Sequence, residues 1–187
     1  MLPLTAAKVQ DLKRFKLPDD FRGRSGFTVQ LWWMVQATFF RCSPQLCYGF
    51  RRWLLRLFGA QIGKGVIIRP SVTIPYPWKL KVGDYSWIGD NAVLYSFAEI
   101  TIGNDAVVSQ NSYLCAGTHD YRSPTFDIRA LPIVIEDEAW LAADVFVAPG
   151  VTIGKGAVVG SRSSVFTNLP AMMVSVGSPA RPIHARI

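Results

Sequence analysis

Histidine is nearly absent from this chain: 187 residues contain only His119 and His184. Cysteine is scarce as well, and Cys42, Cys47 and Cys115 are odd in number and share no paired or ligand-like spacing. These shortages exclude a disulfide framework and a zinc site, and leave reduced thiols in a cytosolic protein as the expectation. Charged residues are 18% of the sequence against 50% hydrophobic ones, which is material for one domain with a real core. A long apolar run is missing too. The best stretch, "FTVQLWWMVQATFF" (27–40), falls short of the about 20 residues that cross a bilayer and contains Gln30 and Gln36. The opening "MLPLTAAKVQDLKRFKLPDD" is polar where a secretory signal carries its apolar centre. A cytoplasmic location is expected.

What is present is unevenly spread. The net charge is +7. Residues 1–60 hold ten Lys/Arg and three Asp/Glu, whereas residues 61–187 hold ten of each. The whole excess therefore sits in a basic, aromatic first third, ahead of an electrically neutral remainder. Glycine (15) and proline (12) are generous, which suits a turn-rich fold more than a helical bundle.

From Ile62 the remainder keeps a beat of six. "IGKGVI", "IRPSVT" and "IPYPWK" are followed by "VGDYSW", "IGDNAV", "LYSFAE", "IGNDAV" and "VSQNSY", and later by "IEDEAW", "LAADVF", "VAPGVT", "IGKGAV", "VGSRSS" and "VFTNLP". Each unit starts on Ile, Val or Leu, and the fifth residue is mostly small or β-branched. Helices repeat near 3.6 and lone strands near 2; a sustained six fits short strands that turn corners and stack into a parallel β-helix. First and fifth side chains then point inward, and each coil depends on its neighbours. Leu80–Lys81 and Ile100–Thr101 read as insertions at one corner. Between Tyr113 and Ile135 the beat stops for "CAGTHDYRSPTFDIRALP" (115–132), a loop thrown outward that carries His119.

The residues closing each unit point outward. On the first face they are Ile67, Trp87, Val107, Trp140 and Val158; on the second Thr73, Val93, Tyr113, Phe146 and Ser164; on the third Lys81, Thr101 and Thr152, with Val134 as an exception. Two largely apolar outer faces predict a self-associating prism with its third face most exposed, unless the first sixty residues cover one of them.

Together the in-phase sixes, the looped-out "GTHD" and the closing "VGSPARPI" resemble the hexapeptide-repeat acyltransferases, and within them the colanic-acid acetyltransferase group. The resemblance also runs through "VQLWWMVQATFF", "SYLCAGTHDY" and "APGVTIGKGAVVG". It implies a left-handed β-helix over residues 61–175, a helical segment before it and a tail over 176–187. It further implies a homotrimer that carries acetyl-coenzyme A between neighbours, with no metal. A metal-dependent carbonic anhydrase on such a scaffold would need three histidine ligands. By motif position the catalytic residue is His119, and coenzyme contacts fall on Trp140, Ala143, Gly160, Ser161, Thr167 and Arg181. Asp120 is expected to orient the imidazole, and Ser96 and Tyr113 to meet the acceptor. The turn often written Gly-Ser in relatives is Ala142-Ala143 here, and Thr167 replaces a lysine.

Transfer of an acetyl group to an alcohol needs a base that titrates near neutrality, for which imidazole is the natural choice, and N–H donors for the oxyanion. A sugar hydroxyl of an exopolysaccharide precursor is the expected acceptor. Acetylation of an amino sugar would use the same base, and a non-catalytic assembly module is the alternative from another class. Cys115 is read as a small buried residue rather than an acyl carrier. His184 is read as surface.

The first third is expected to form two amphipathic helices, over 27–40 and 46–59. The second would place Leu46, Phe50, Leu54 and Leu57 on one stripe, Arg51, Arg52 and Arg56 elsewhere, and Gly59 at its C-terminal cap. Such helices would cap the open solenoid end, or rest on an anionic inner membrane face near a lipid-linked saccharide. No nucleic-acid motif accompanies the basic residues.

Overall fold

The computed structural model describes residues 8–187; the part of the basic segment in residues 1–7 lies outside the described residues. Three parallel walls of short strands wind into a triangular prism. The first wall stacks Ile67–Ile68, Trp87–Ile88, Val107–Val108, Trp140–Leu141 and Val158–Val159. The second stacks Val93–Tyr95, Tyr113–Cys115, Phe146–Val147 and Ser164–Val165, and the third Gln61–Ile62, Leu80–Val82, Ile100–Ile102, Ile133–Ile135 and Thr152–Ile153. Every pairing between coils is parallel and in the register the sixes predict, for example Trp87 with Val107 and Val107 with Trp140. The insertions lengthen third-wall strands, where Leu80, Ile100 and Ile133 stack in register and are buried.

The core follows directly from the repeat. First positions such as Ile88, Leu114, Val147 and Val159 have no exposed surface, and neither do fifth positions Ala92, Ala106 and Ala157. Where the fifth residue is serine, its hydroxyl replaces packing with bonds between coils: Ser86 Oγ donates to the Gly103 carbonyl at 2.6 Å and accepts from Ala106 N–H at 3.0 Å. Corners turn on left-handed residues, including Asn91, Asn111, Asp144 and Arg162 with φ from 56° to 62°.

The N-terminal third differs from expectation in three ways. Residues 8–25 are not helical apart from a short turn at Leu12–Arg14; they form a strap running along the prism. Helix α1, Gly26–Val35, capped by Ser25 Oγ, is apolar nearly all round rather than amphipathic, and continues as a wider turn over Gln36–Phe40. Helix α2, Tyr48–Leu57, is amphipathic but rolled over. Its inner face is Arg51, Leu54 and Leu55, while Phe50, Trp53 and Leu57, and Leu46 just before the helix, are exposed. Gly59, at φ 95°, ends it as expected.

The reason is the open end of the solenoid. The first coil leaves backbone carbonyls without a coil beneath them, and a buried unpaired carbonyl is costly. Arg51, fully buried, donates to the carbonyls of Ile68 (2.7 Å) and Pro44 (2.9 Å) and to Ser43 Oγ (2.8 Å), and also to the carbonyl of Gln45. Arg52 takes Val66, and Arg56 takes Ile62 and Gly63. Trp32 Nε1 donates to the Ile74 carbonyl at 2.7 Å, and Gln36 Oε1 accepts from Ile74 N–H. The helices cap the prism.

At the other end the chain does not finish as a free tail. Met173–Gly177 and Ala180–Ala185 form an antiparallel hairpin whose first strand extends the first wall beyond Val158–Val159. The expected boundary at 175 cuts through that strand.

Candidate active site

The loop between the second and third walls is a hairpin. Gly117–His119 pairs antiparallel with Ile128–Ala130, His119 opposite Ile128. Gly117 has no alternative here, since a Cβ would come within 2.8 Å of Phe97. The tip is fixed by its own polar groups. Asp127 accepts from Ser123 Oγ and Thr125 Oγ1, both at 2.7 Å, and these hydroxyls hold its carboxyl below the usual range, Thr125 contributing most. Phe126, between them, sits at φ 55°.

That strained position has a consequence for His119. The Phe126 carbonyl lies 2.7 Å from His119 Nδ1, and its ring stacks on the imidazole with centroids 4.1 Å apart and planes 9° from parallel. A carbonyl can only accept, so Nδ1 carries the proton and Nε2 is left bare. Phe15 from the strap stands 6.1 Å away on the imidazole, and Asp11 N–H donates to Pro124 at 2.7 Å, tying the strap to the hairpin tip. His119 opens on a cleft of about 360 Å³ lined by Thr118, Asp120, Tyr121, Arg122 and Arg129.

Asp120 does not orient the imidazole. Its carboxylate accepts from Arg122 N–H and faces Arg129 at 3.9 Å; Phe126 fills the orienting role. Ser96 is also corrected: it is fully buried, and its hydroxyl both accepts from and donates to the backbone of Tyr76 at 3.0 Å, so it clips two coils together and reaches no acceptor. Tyr113 stands half-buried in an aromatic column with Tyr95 and Phe146, where burial, then Cys115 and Tyr95, push its hydroxyl up to about 12. Cys115 donates to the Gly117 carbonyl, and burial raises its thiol above the ordinary value, against a thiolate nucleophile.

The remaining predicted residues lie elsewhere on the prism. Ala143, Gly160 and Ser161 occupy one edge, the corner between the first and second walls; Arg162 N–H bonds the Ala143 carbonyl at 3.0 Å. The N–H groups of Ala143 and Ser161 have no partner among the described residues. Trp140 lies on the first wall, 44% exposed, its Nε1 donating to Ser109 Oγ. Arg181 is on the C-terminal hairpin, exposed, with a single weak bond to the Ala180 carbonyl. Thr167 alone shares the corner from which the His119 hairpin departs. A groove of about 850 Å³ runs down the first wall from Trp140, and no residue lines both it and the His119 cleft. Within one chain the base and most of the expected coenzyme contacts are thus separated by the second wall.

No family model matches the chain. Among solved structures, a hexapeptide-repeat acetyltransferase from Vibrio cholerae superposes with a TM-score of 0.79 at 25% identity, covering 90% of this chain and 98% of that one. WcaF of Escherichia coli K12, named for an acetyltransferase step in colanic acid biosynthesis, is 60% identical over 179 residues, or 96% of this chain and 98% of WcaF. The chain belongs to the hexapeptide-repeat acetyltransferases. The galactoside O-acetyltransferase of Escherichia coli is a more distant relative of this acetyltransferase, 26% identical over 72% of the chain and 68% of that enzyme. The left-handed β-helix expected from the sequence is the fold of this acetyltransferase.

Two features escaped sequence reading. Phe126 carries no motif, although the Ser123–Thr125–Asp127 spacing is a turn signal that could have marked its strained position. Phe15 lies 104 positions from His119 in the chain, and nothing local announces the contact.

Proposed function

We propose that the chain moves an acetyl group from acetyl-coenzyme A to a sugar hydroxyl of an exopolysaccharide or related glycan precursor, with His119 as general base. The observation that carries this reading is the 2.7 Å bond from His119 Nδ1 to the Phe126 carbonyl, which leaves Nε2 unprotonated in a residue that lines the cleft. His119 takes the hydroxyl proton through Nε2 as the acceptor oxygen attacks the thioester carbonyl. The imidazolium then returns that proton to the departing sulfur, so the net change is ester for thioester. The same geometry would serve an amine.

The fit of the donor is consistent with the residues present. Free N–H groups at Ala143 and Ser161, the open indole of Trp140 and the Arg181 guanidinium suit an extended, phosphate-bearing molecule. Since they lie across the second wall from His119, the reading requires that a neighbouring copy bring them to the base, as in the homotrimer implied by resemblance. The V. cholerae relative has been solved with acetyl-coenzyme A, and the galactoside enzyme's name supports a sugar acceptor. Thiol release from acetyl-coenzyme A against a panel of saccharides tests this. Wild type should turn over, and His119→Ala should lose about 10²–10⁴-fold with its melting temperature unchanged. Equal turnover refutes the assignment.

A peripheral membrane contact through the cap is a second reading, supported by one observation. No helix among the described residues is long and apolar enough to cross a membrane, yet Phe50, Trp53 and Leu57 are exposed along α2, and Leu46, Phe27, Met34 and Phe39 are exposed elsewhere in the cap. With Arg51, Arg52 and Arg56 directed at backbone carbonyls, attachment would rest on apolar insertion more than on charge. Sedimentation with vesicles should be lost in Phe50→Ser/Trp53→Ser and persist at high salt; no binding by wild type rejects the reading.

A further inference from the structure

The basic excess of the first sixty residues is put to two different uses. In the cap, Arg51, Arg52 and Arg56 donate to backbone carbonyls. In the strap, Lys8 pairs with Asp11 at 2.7 Å, but Lys13, Arg14 and Lys16 are exposed and make no ion pair or side-chain hydrogen bond among the described residues. Arg14 and Lys16 flank Phe15, whose ring lies 6.1 Å from the His119 imidazole. The bond from Asp11 N–H to the Pro124 carbonyl holds this part of the strap against the hairpin. Two unengaged cations therefore sit within one residue of a contact to the proposed base.

The hairpin contributes two more, since Arg122 and Arg129 line the His119 cleft. Its own carboxylates do not satisfy them. Asp127 is taken up by the hydroxyls of Ser123 and Thr125. Asp120 accepts from the backbone N–H of Arg122, and its other oxygen is 3.9 Å from Arg129, too long for a hydrogen bond. The Arg122 guanidinium lies over the Tyr121 ring at 5.5 Å and has no hydrogen-bond partner among the described residues. The backbone that carries both is fixed. Arg129 pairs with Thr118 across the hairpin, Asp120 N–H donates to the Asp127 carbonyl at 2.8 Å, and Ser123 N–H donates to the Asp120 carbonyl at 3.1 Å. Arginines elsewhere on the prism are engaged: Arg69 bonds Asp90 at 2.7 Å, and Arg186 bonds the carbonyls of Glu138 and Gly156.

Guanidinium groups with open donors, set on fixed backbone, are the chemistry that binds a phosphate or a carboxylate. The phosphates of coenzyme A do not fit this place, because the pantetheine arm keeps them far from the thioester that must reach His119. The anion then belongs to the other substrate. Resting on the acetyl-transfer reading above, we propose that the rim of the His119 cleft binds an anionic group, phosphate or carboxylate, carried by the acceptor close to the hydroxyl that reacts. Arg122 and Arg129 make the contacts, and Arg14 and Lys16 supply the surrounding positive field.

Direct binding of matched sugars tests the site: glucose, glucuronic acid and glucose 1-phosphate, with the galactose and mannose equivalents, by saturation-transfer NMR with coenzyme A saturating. In at least one trio a charged member should bind wild type about 10-fold or more tightly than the neutral sugar. Which charged member binds better identifies the anion as carboxylate or phosphate. Arg129→Gln should lose about 10-fold on that member only, Arg129→Lys should recover part of the loss, and Arg122→Gln should act in the same direction. High salt should weaken the charged member in wild type. Equal binding of charged and neutral members, no binding of any, or an unchanged Arg129→Gln would overturn the proposal. So would a changed sedimentation coefficient in Arg129→Gln, since the guanidinium would then pair with a neighbouring copy. If charged sugars bind as expected while wild type transfers acetyl to no saccharide, the acetyl-transfer reading fails and the anion site stands. If transfer proceeds equally well to neutral and charged members, the anion site fails alone.

Discussion

Two interruptions of the six-residue beat, the helical cap beneath the prism and the hairpin at its side, use their polar residues in opposite ways. The cap holds Arg51, Arg52 and Arg56, which a charge count marks as surface groups for an anionic partner. The structure turns them inward onto Ile62, Gly63, Val66 and Ile68. The hairpin holds a single histidine, a residue more often structural than chemical, and fixes it by one carbonyl so that a ring nitrogen stays open. Position relative to unfinished backbone, rather than residue type, separates the two outcomes. An open solenoid end needs donors; a hairpin that pairs with itself has its backbone satisfied and can leave a side chain free.

Single substitutions should break that contrast in opposite directions. The largest effect belongs to the hairpin, where His119→Ala removes the rate and leaves the fold. In the cap, Arg51→Ala should reverse this: four acceptors in a buried site lose their donor, costing about 3 kcal/mol or more of stability. Thermal unfolding should show the drop, while kcat per folded molecule stays near wild type. A smaller effect sharpens the hairpin side. Phe126→Gly suits the left-handed backbone and keeps the carbonyl but removes the stacked ring, and kcat should fall about 2–10-fold. Least of all, Cys115→Ala should change turnover by less than about 2-fold, because a thiol raised by burial and bonded to Gly117 takes no part. A loss comparable to that of His119→Ala would instead support an acyl-cysteine.

The solenoid was legible because its physics repeats. An inward Ile, Val or Leu every sixth position, over fourteen units, determines walls, corners and register together, and even the two insertions could be assigned to one corner. The histidine proposed as the base was singled out by the break in the beat combined with family resemblance. What escaped lies off the repeat. The roll of α2 is set by carbonyls of residues 62–68, which no helical periodicity encodes, so of the expected stripe only Leu54 is buried while Leu46, Phe50 and Leu57 face out. Ser96 looks like an acceptor contact by position alone, yet it falls where a hydroxyl can clip Tyr76 to the next coil. Asp120 is next to His119 in sequence, yet its carboxylate is taken up by Arg122 N–H and Arg129, a pairing that adjacency does not announce.

The account rests on which imidazole nitrogen is bare. With only two histidines in the chain, ¹⁵N-histidine labelling gives two ring systems, and His184→Asn assigns the remaining one to His119. Above the imidazole titration, the His119 Nδ1 signal should be that of a protonated nitrogen and the Nε2 signal that of an unprotonated one. A protonated Nε2 with a bare Nδ1 would contradict the bond to Phe126 and, with it, the base.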